Sequence, residues 1–262
     1  GVVEAVGPDV TDFKVGDDVF GCVGGFQELG GSLADFTIGD RRLLARKPTT
    51  LSYAEASALP LVTITAWEGL HDRARVEPGQ SVLIHAGAGG VGHVAVQLAV
   101  AAGAKVATTV SSDSKAAAVQ GIRGGEIETI NYRDEQVADY VGRLTGGTGF
   151  DIVFDTVGGP NLGKSFDAVR RHGQVVNILS LAEHDLTPMH LKALSLHVVF
   201  MLLPLITGEG RARHGVILQA AAELADAGKL RPLIDGTHSF EQAGAAHRRA
   251  ESGQQTGKLV LV

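Results

Sequence analysis

The spacing of apolar residues divides the chain near residue 81. Before that point, short apolar runs alternate with Gly and Asp, a pattern that is typical of strands joined by turns. Strands are predicted over residues 1–6, 33–38 and 43–45, and residues 13–21 are interpreted as a turn that leads into a further strand. One helix is predicted over residues 52–70, because Ser52 and Glu55 have the spacing of a capping box, and Pro60 is expected to kink it.

From residue 81 the pattern alternates regularly between strands and helices. Strands are predicted over 82–85, 105–110, 128–130, 151–154 and 174–179, and helices over 91–102, 114–121, 134–144 and 161–171. A strand over 196–200, a helix over 211–227, a helix over 241–252 and a closing strand over 258–262 follow. This alternation predicts the α/β class, with a doubly wound parallel sheet and helices on both faces.

The turn between the first of these strands and its helix reads Gly87-Ala88-Gly89-Gly90-Val91-Gly92. Gly87 allows a tight turn, Gly89 lets a pyrophosphate approach the backbone, and Gly92 lets the helix pack close to the strand. An ordinary glycine turn is the alternative in a chain with 35 glycines. The flanking strand and helix favour a dinucleotide site, in which the free N–H groups at the helix start would face the phosphates.

The end of the second strand of this region indicates which dinucleotide is bound. NAD sites carry an acidic residue there, about twenty residues past the glycines, whereas this strand ends in Val110 and Ser111. Ser111 and Ser112, with Lys115 one turn on, are suited to a 2′-phosphate that a carboxylate would repel, so NADPH is predicted. Asp113 lies past the strand and is expected to cap the next helix, and Lys115 could equally be a solvated surface residue.

Composition and charge limit the classes of partner. The net charge is −6 and the 23 basic residues are scattered, which argues against nucleic acid. No apolar run is long enough for a membrane span or an export signal, and Cys22 is the single cysteine, so we expect a cytoplasmic protein. Because the chain begins at Gly1 inside a predicted strand, we also expect it to lack an N-terminal segment.

Ordered motifs along the whole chain resemble one family. They are FKVGDDVFG (13–21), LVTITAWEGL (61–70), VLIHAGAGGVGHVAVQLA (82–99), INYRDE (130–135), FDIVFDTVGG (150–159) and GKLVLV (257–262). They are similar to the medium-chain dehydrogenase/reductase superfamily, and within it to the zinc-independent, zeta-crystallin-like quinone oxidoreductases. The resemblance implies a partial GroES-like β-rich domain over 1–50 and 230–262 and a Rossmann domain over 51–229, in a chain truncated at its N-terminus.

The resemblance also implies further cofactor contacts. It assigns Thr65 to the nicotinamide end, Tyr132 to the adenosine phosphate, Val157 and Gly158 to the adenosine side, and Leu179, Ser180, Phe200 and Met201 to the nicotinamide ribose. Each of these residues has an alternative interpretation as a core or turn residue, and this applies most of all to Phe200 and Met201.

No metal site is predicted. Zinc-dependent members of the superfamily have a cysteine four residues before the threonine that matches Thr65, and Leu61 stands there. The ten histidines are dispersed, and His184 and His190, the closest downstream pair, lie in a predicted loop. Cys22 is interpreted as a small buried residue rather than a nucleophile.

A zinc-independent member of this superfamily is expected to reduce a quinone or an α,β-unsaturated carbonyl with NADPH. The product anion needs only hydrogen-bond donors and a proton that water can supply, so no catalytic acid is assigned. The alternatives are an enoyl-thioester reductase, a zinc-type alcohol dehydrogenase, or a catalytically silent NADPH-binding protein. The resemblance further implies a homodimer, with the apolar strand at 196–200 as the candidate edge.

Overall fold

A computed structural model describes residues 1–27, 29–122 and 126–262. The strands in these residues are β1 (Val19–Gly21), β2 (Leu44–Arg46), β3 (Ser81–Ile84), β4 (Lys105–Val110), β5 (Ile127–Asn131), β6 (Phe150–Asp155), β7 (Val169–Asn177), β8 (Ser195–Val198), β9 (Ile234–His238) and β10 (Lys258–Leu261). The α-helices are α1 (Tyr53–Ser57), α2 (Pro60–Trp67), α3 (Gly92–Ala101), α4 (Asp113–Gln120), α5 (Val137–Thr145), α6 (Asn161–Ala168), α7 (Thr187–Lys192), α8 (Leu203–Thr207), α9 (Arg211–Asp226) and α10 (Ala243–Glu251).

The chain folds into two compact units. One contains Gly1–Ile64 and Met201–Val262, and the other contains Thr65–Phe200. Helix α9 belongs to the first unit, where it packs against β2 and the 3₁₀ turn Arg41–Leu43. The domain boundaries at residues 51 and 229, and the GroES-like character of the first domain, stay predictions.

The second unit is built on a six-stranded parallel sheet in the order β5-β4-β3-β6-β7-β8. Counted from β3, this is the order 3-2-1-4-5-6 of a doubly wound dinucleotide-binding fold. The predicted Rossmann sheet is therefore confirmed. Strand order reverses between β3 and β6, and in such sheets ligands bind in the crevice at the carboxyl ends of the strands on either side of that point.

The core on one face of this sheet follows from the alternation of side chains along each strand. Leu83, Val153 and Val175 come from β3, β6 and β7, and they are fully buried together with Leu162 and Phe166 of α6. Residues two positions further along each strand point to the same face. The apolar core therefore leads directly to the side chains at the carboxyl ends of the strands.

Two predicted strands of the first unit are not formed. Residues 1–6 contribute one antiparallel bridge, between Val2 and Asp18, and residues 33–38 are irregular. Apolar alternation is not sufficient for a strand, because the backbone N–H and C=O groups must also pair with a neighbouring strand. β1 and β2 do pair, antiparallel, and β9 and β10 pair in parallel.

The predicted helix over 52–70 is interrupted. The capping box of Ser52 and Glu55 is present at the start of α1, but α1 ends at Ser57. Pro60 is the first residue of α2 and does not kink a continuous helix. The first helical position favours proline, because the missing N–H has no partner inside the helix there.

Candidate dinucleotide site

The loop after β3 has room for glycine alone at two of its predicted positions. A Cβ on Gly87 would lie 2.0 Å from Oγ1 of Thr108 in β4, and a Cβ on Gly92 would lie 2.1 Å from the carbonyl oxygen of Ala86. Gly89 is less confined, since its Cβ would lie 3.0 Å from the same oxygen. The loop therefore folds tightly onto the strand ends, with Gly87 and Gly92 buried and Gly89 and Gly90 partly exposed.

Ala86 starts this loop in a left-handed conformation with φ of 55°. Its N–H donates to Oγ1 of Thr109 at 3.0 Å, and the N–H of Gly87 donates to the Thr109 carbonyl oxygen at 3.1 Å. A non-glycine residue in this region is strained and is held there by its surroundings. Thr109 thus ties the loop after β3 to the end of β4.

Helix α3 begins at Gly92 and has no side-chain cap at its start. The first N–H groups of an α-helix have no partner within the helix and carry the positive end of its dipole, which makes this end an anion-binding site. The start of α3 lies where the strand order reverses, next to a glycine loop that has no room for side chains at Gly87 and Gly92. This arrangement fits the pyrophosphate of a dinucleotide.

At the end of β4, Ser112 is the N-cap of helix α4, and its Oγ accepts the N–H of Lys115 at 3.4 Å. The expectation that Asp113 caps this helix is wrong. Asp113 is the first helical residue, because only Ser112 has the extended backbone that a cap requires. Asp113 is exposed, and Ser111, Ser112 and Lys115 are half-buried.

Tyr132 lies beside this strand end. It follows β5 directly, and its N–H donates to the carbonyl oxygen of Val110, the last residue of β4, at 3.2 Å. Its side chain is 46% exposed. Ser111 and Tyr132, which are far apart in the sequence, therefore follow the ends of two paired strands, and Lys115 lies in the first turn of the helix after β4.

The ends of β6 and β7 also meet. Gly158 has φ of 71°, and a Cβ there would lie 2.3 Å from the carbonyl oxygen of Leu179. Val157 and Leu179 are about half exposed, so each presents an apolar side chain at this edge of the sheet. The predicted pairs Val157-Gly158 and Leu179-Ser180 are thus neighbours.

His85 is the buried polar residue at the end of β3. Its Nδ1 lies 3.3 Å from Oγ1 of Thr109, and its Nε2 has no hydrogen-bond partner among the described residues. Burial lowers the pKa of its imidazole to about 4, against the opposing effect of the Asp155 carboxylate. His85 is therefore neutral near pH 7.

Most of the predicted site residues share one edge of the second unit. The loop after β3 and the residues that follow β4, β5, β6 and β7 all lie at the carboxyl ends of the parallel strands, and Phe200 follows β8 there. Thr65 is buried in α2, and Met201 belongs to the other compact unit.

The polar residues beneath this edge were not predicted as site residues. Asp155 and Asn177 end β6 and β7 in register with each other, both are fully buried, and Thr109 is nearly so. The available signal was a polar residue that ends each apolar strand run, as in Ile152-Val153-Phe154-Asp155. The sequence alone does not show which of these polar residues lie next to each other, because that depends on the order of the strands in the sheet.

The residues that the structure describes contain neither a metal-ligand cluster nor a membrane-spanning helix. In residues 1–27, 29–122 and 126–262, no three His, Cys, Asp or Glu side chains form a group that could hold a metal ion. Among the helices of the same residues, none has the length and apolar character needed to cross a bilayer. Burial raises the pKa of the Cys22 thiol, so the thiolate is disfavoured there.

Comparison with known proteins gives the same fold and a family. The family model described as zinc-binding dehydrogenase matches residues 125–261. The crystal structure of an alcohol dehydrogenase superfamily protein from Novosphingobium aromaticivorans is 44% identical, with a TM-score of 0.95, and the match covers 100% of this chain and 79% of that one. Escherichia coli quinone oxidoreductase, solved as a complex with NADPH, is 26% identical, with a TM-score of 0.86, over 100% of this chain and 80% of that one.

Curated relatives include much longer proteins. Highly reducing polyketide synthase 40 of Fusarium mangiferae is 35% identical over 265 residues, which is 100% of this chain and 10% of that protein. The chain thus spans about a tenth of the length of this synthase. From the match over residues 125–261 and the coverage of the 44% identical structure, the chain belongs to the zinc-binding dehydrogenases of the medium-chain dehydrogenase/reductase superfamily.

Proposed function

We propose that the chain binds NADPH and reduces a quinone or an α,β-unsaturated carbonyl compound, without zinc. The observation that carries the choice of NADPH is the end of β4. Ser111 and Ser112 occupy the strand-end positions at which an NAD site has a carboxylate, and Lys115 follows in the first turn of α4. Asp113 is the nearest acid, and it is exposed on the first turn of α4 rather than on the strand end.

The chain's own residues have separable tasks in this proposal. Gly89 and the start of α3 bind the pyrophosphate, the buried Gly87 and Gly92 allow the tight turn and the close packing of the helix, and Lys115 and Tyr132 bind the adenosine phosphate. Val157 and Leu179 provide apolar contact surface along the carboxyl edge. The bound nicotinamide supplies the hydride, while the protein orients it and excludes water.

Independence of zinc is proposed from the residue at the position of the expected cysteine ligand. Leu61 has no atom that coordinates a metal. A zinc ion, the electrophile that alcohol oxidation requires, would therefore lack one of its ligands here. A conjugated acceptor needs less assistance, because the negative charge formed by hydride delivery is delocalised onto the carbonyl oxygen.

The test is a panel of acceptors with NADPH oxidation followed at 340 nm. We expect turnover with benzoquinones or with enones that persists after treatment with a chelator. We expect no turnover of simple alcohols with NADP⁺ before or after that treatment. Alcohol oxidation that a chelator abolishes would contradict the proposal and favour a zinc-type dehydrogenase. Tight NADPH binding with no turnover of any acceptor would instead favour a silent binding protein.

Reduction of an enoyl thioester is the second candidate, and a specific observation favours it. The match to a polyketide synthase covers the whole of this chain at 35% identity. Crotonyl-pantetheine added to the same assay separates the two substrates, since its double bond is conjugated to a thioester. A specificity constant for this thioester well above that for quinones and enones would assign the chain to thioester reduction.

We also propose a homodimer through β8. Among the strands that the structure describes, β8 pairs with β7 alone and ends the sheet order, and Val198 on it is about half exposed. An unpaired apolar strand edge is stabilised when another strand covers it. Sedimentation velocity should give a dimer that Val198→Lys converts to a monomer, and a monomeric wild type at the same concentration would contradict this assignment.

A further inference from the structure

Asp155, the last residue of β6, has a carboxylate that organises the loop after it. Its Oδ1 accepts the N–H groups of Val157 and Gly158, each at 2.9 Å, and the side-chain amide of Asn161 at 3.0 Å. Its Oδ2 accepts the hydroxyl of Ser165 in α6 at 3.1 Å. Four donors thus converge on one fully buried carboxylate.

Two of these four bonds fix the backbone of the loop after β6. Two successive N–H groups that point at one oxygen force residues 156–158 to curl over the end of β6. Gly158 then adopts its left-handed conformation against the Leu179 carbonyl group. The side chain of Val157 is left half exposed at the carboxyl edge.

The neighbouring strand ends use the same device. Asn177, which pairs in register with Asp155, accepts the N–H of Leu179 on its Oδ1 at 2.8 Å. Thr156 donates its hydroxyl to the carbonyl oxygen of His85 at 2.6 Å and so joins the loop after β6 to the end of β3. Asp155 accepts more hydrogen bonds than Asn177 does, and its strand, β6, lies between β3 and β7 in the sheet.

We propose that Asp155 is a positioning residue of the cofactor site: its buried carboxylate holds residues 156–159 in the one conformation that presents Val157 and Gly158 to the dinucleotide. The inference rests on the proposed function, since it assumes that NADPH occupies this edge. Asp155 does not touch the cofactor. It acts by removing, before binding, the conformational freedom that the loop would otherwise lose on binding.

The test compares Asp155→Ala and Asp155→Asn with the wild type. In Asp155→Ala, the dissociation constant of NADPH should rise by about tenfold or more, because several loop residues must be ordered at the moment of binding. Asparagine keeps an oxygen that can accept the Val157 and Gly158 N–H groups, so Asp155→Asn should recover affinity to within about threefold of the wild type. Rescue by the isosteric amide separates loop positioning from charge.

Asp151→Ala is the matched control. Asp151 lies at the other end of the same strand and is also well bonded, to the N–H and hydroxyl of Ser81 and to Arg170. This variant should lose stability and keep the NADPH affinity of the wild type. An equal loss of affinity in Asp151→Ala would make the effect of Asp155 a general loss of structure and overturn the inference.

Hydrogen exchange in the absence of cofactor gives an independent readout. The amides of Val157 and Gly158 should be protected in the wild type and exchange faster in Asp155→Ala, with no change in Asp151→Ala. Unprotected amides in the wild type would overturn the inference even if Asp155→Ala did not fold. Unchanged affinity in a folded Asp155→Ala would overturn it as well, whereas a wild type that binds no nicotinamide nucleotide would overturn the proposed function.

Discussion

A side chain on Gly92 would meet the backbone of Ala86, with its Cβ 2.1 Å from the Ala86 carbonyl oxygen. The start of α3 therefore packs on the first residue of the loop with no space for a methyl group. The obstacle is backbone, so no rotation of a side chain relieves it.

Gly92→Ala should abolish tight NADPH binding. Intrinsic helix propensity favours alanine by about 1 kcal/mol, but a contact of this kind requires the helix start to move away from the strand. The dissociation constant measured by fluorescence titration should rise by at least about tenfold, which corresponds to 1.4 kcal/mol. Gly142→Ala in α5 is the control, because open space surrounds that position, and it should bind NADPH normally.

Gly87→Ala should also impair binding, and this defect should be partly reversible. The atoms in the way belong to the side chain of Thr108, with Oγ1 at 2.0 Å. Thr108→Gly in the same chain removes them, so the double variant should bind NADPH more tightly than Gly87→Ala alone. A double-mutant cycle measures the coupling, and strictly additive losses would contradict the contact.

Lys115→Glu should change the choice of cofactor. A charge-assisted hydrogen bond contributes about 1.5–3 kcal/mol, so affinity for NADPH should fall by at least about tenfold while affinity for NADH is retained. Lys105→Glu is the matched control, since Lys105 is exposed at the start of β4, whereas Lys115 lies in the helix that follows the other end of that strand. An equal loss for both nucleotides in Lys115→Glu would show that Lys115 does not face the 2′-phosphate.

Acid should destabilise the fold through His85. Burial lowers the pKa of His85 in the folded protein to about 4, whereas the unfolded chain takes up this proton near 6.5. The unfolded state therefore binds more protons between these values, and stability falls as the pH falls through this window. The loss between pH 7 and pH 5 should be about 2 kcal/mol.

Urea unfolding at the two pH values measures this loss in the wild type and in two variants. His85→Asn should remove most of it, because asparagine does not titrate. His247→Gln changes an exposed histidine on α10 and should leave it unaltered. The same pH dependence in His85→Asn as in the wild type would assign the effect to other groups.

Local signals in the sequence were sufficient to predict the glycine loop between β3 and α3. The glycine spacing, the apolar strand before it and the helix after it are all within twenty residues, and their physical meaning does not depend on the rest of the chain. The capping box at Ser52 and Glu55 was predicted for the same reason, and the structure contains it. The alternation of strands and helices also determined the parallel sheet.

Predictions that depend on a neighbouring segment of the chain were wrong. Residues 1–6 have strand-like alternation, but their backbone hydrogen bonds to the segment 16–19 come from Gly1 and Val3 and form a single bridge rather than a strand. Pro60 starts a helix because α1 has already ended before it. Asp113 and Ser112 are both residue types that cap helices, and the backbone conformation of Ser112 decided between them.

The sequence by itself determined that a bare, tightly turned loop joins a buried strand to a helix, because that outcome depends on short-range sterics alone. Only the tertiary structure decided what surrounds the loop. It placed Thr108 against Gly87 and Leu179 against Gly158, and it brought Asp155 and Asn177 side by side. Those neighbours depend on strand order and register, which arise from pairing between segments tens of residues apart and leave no local pattern.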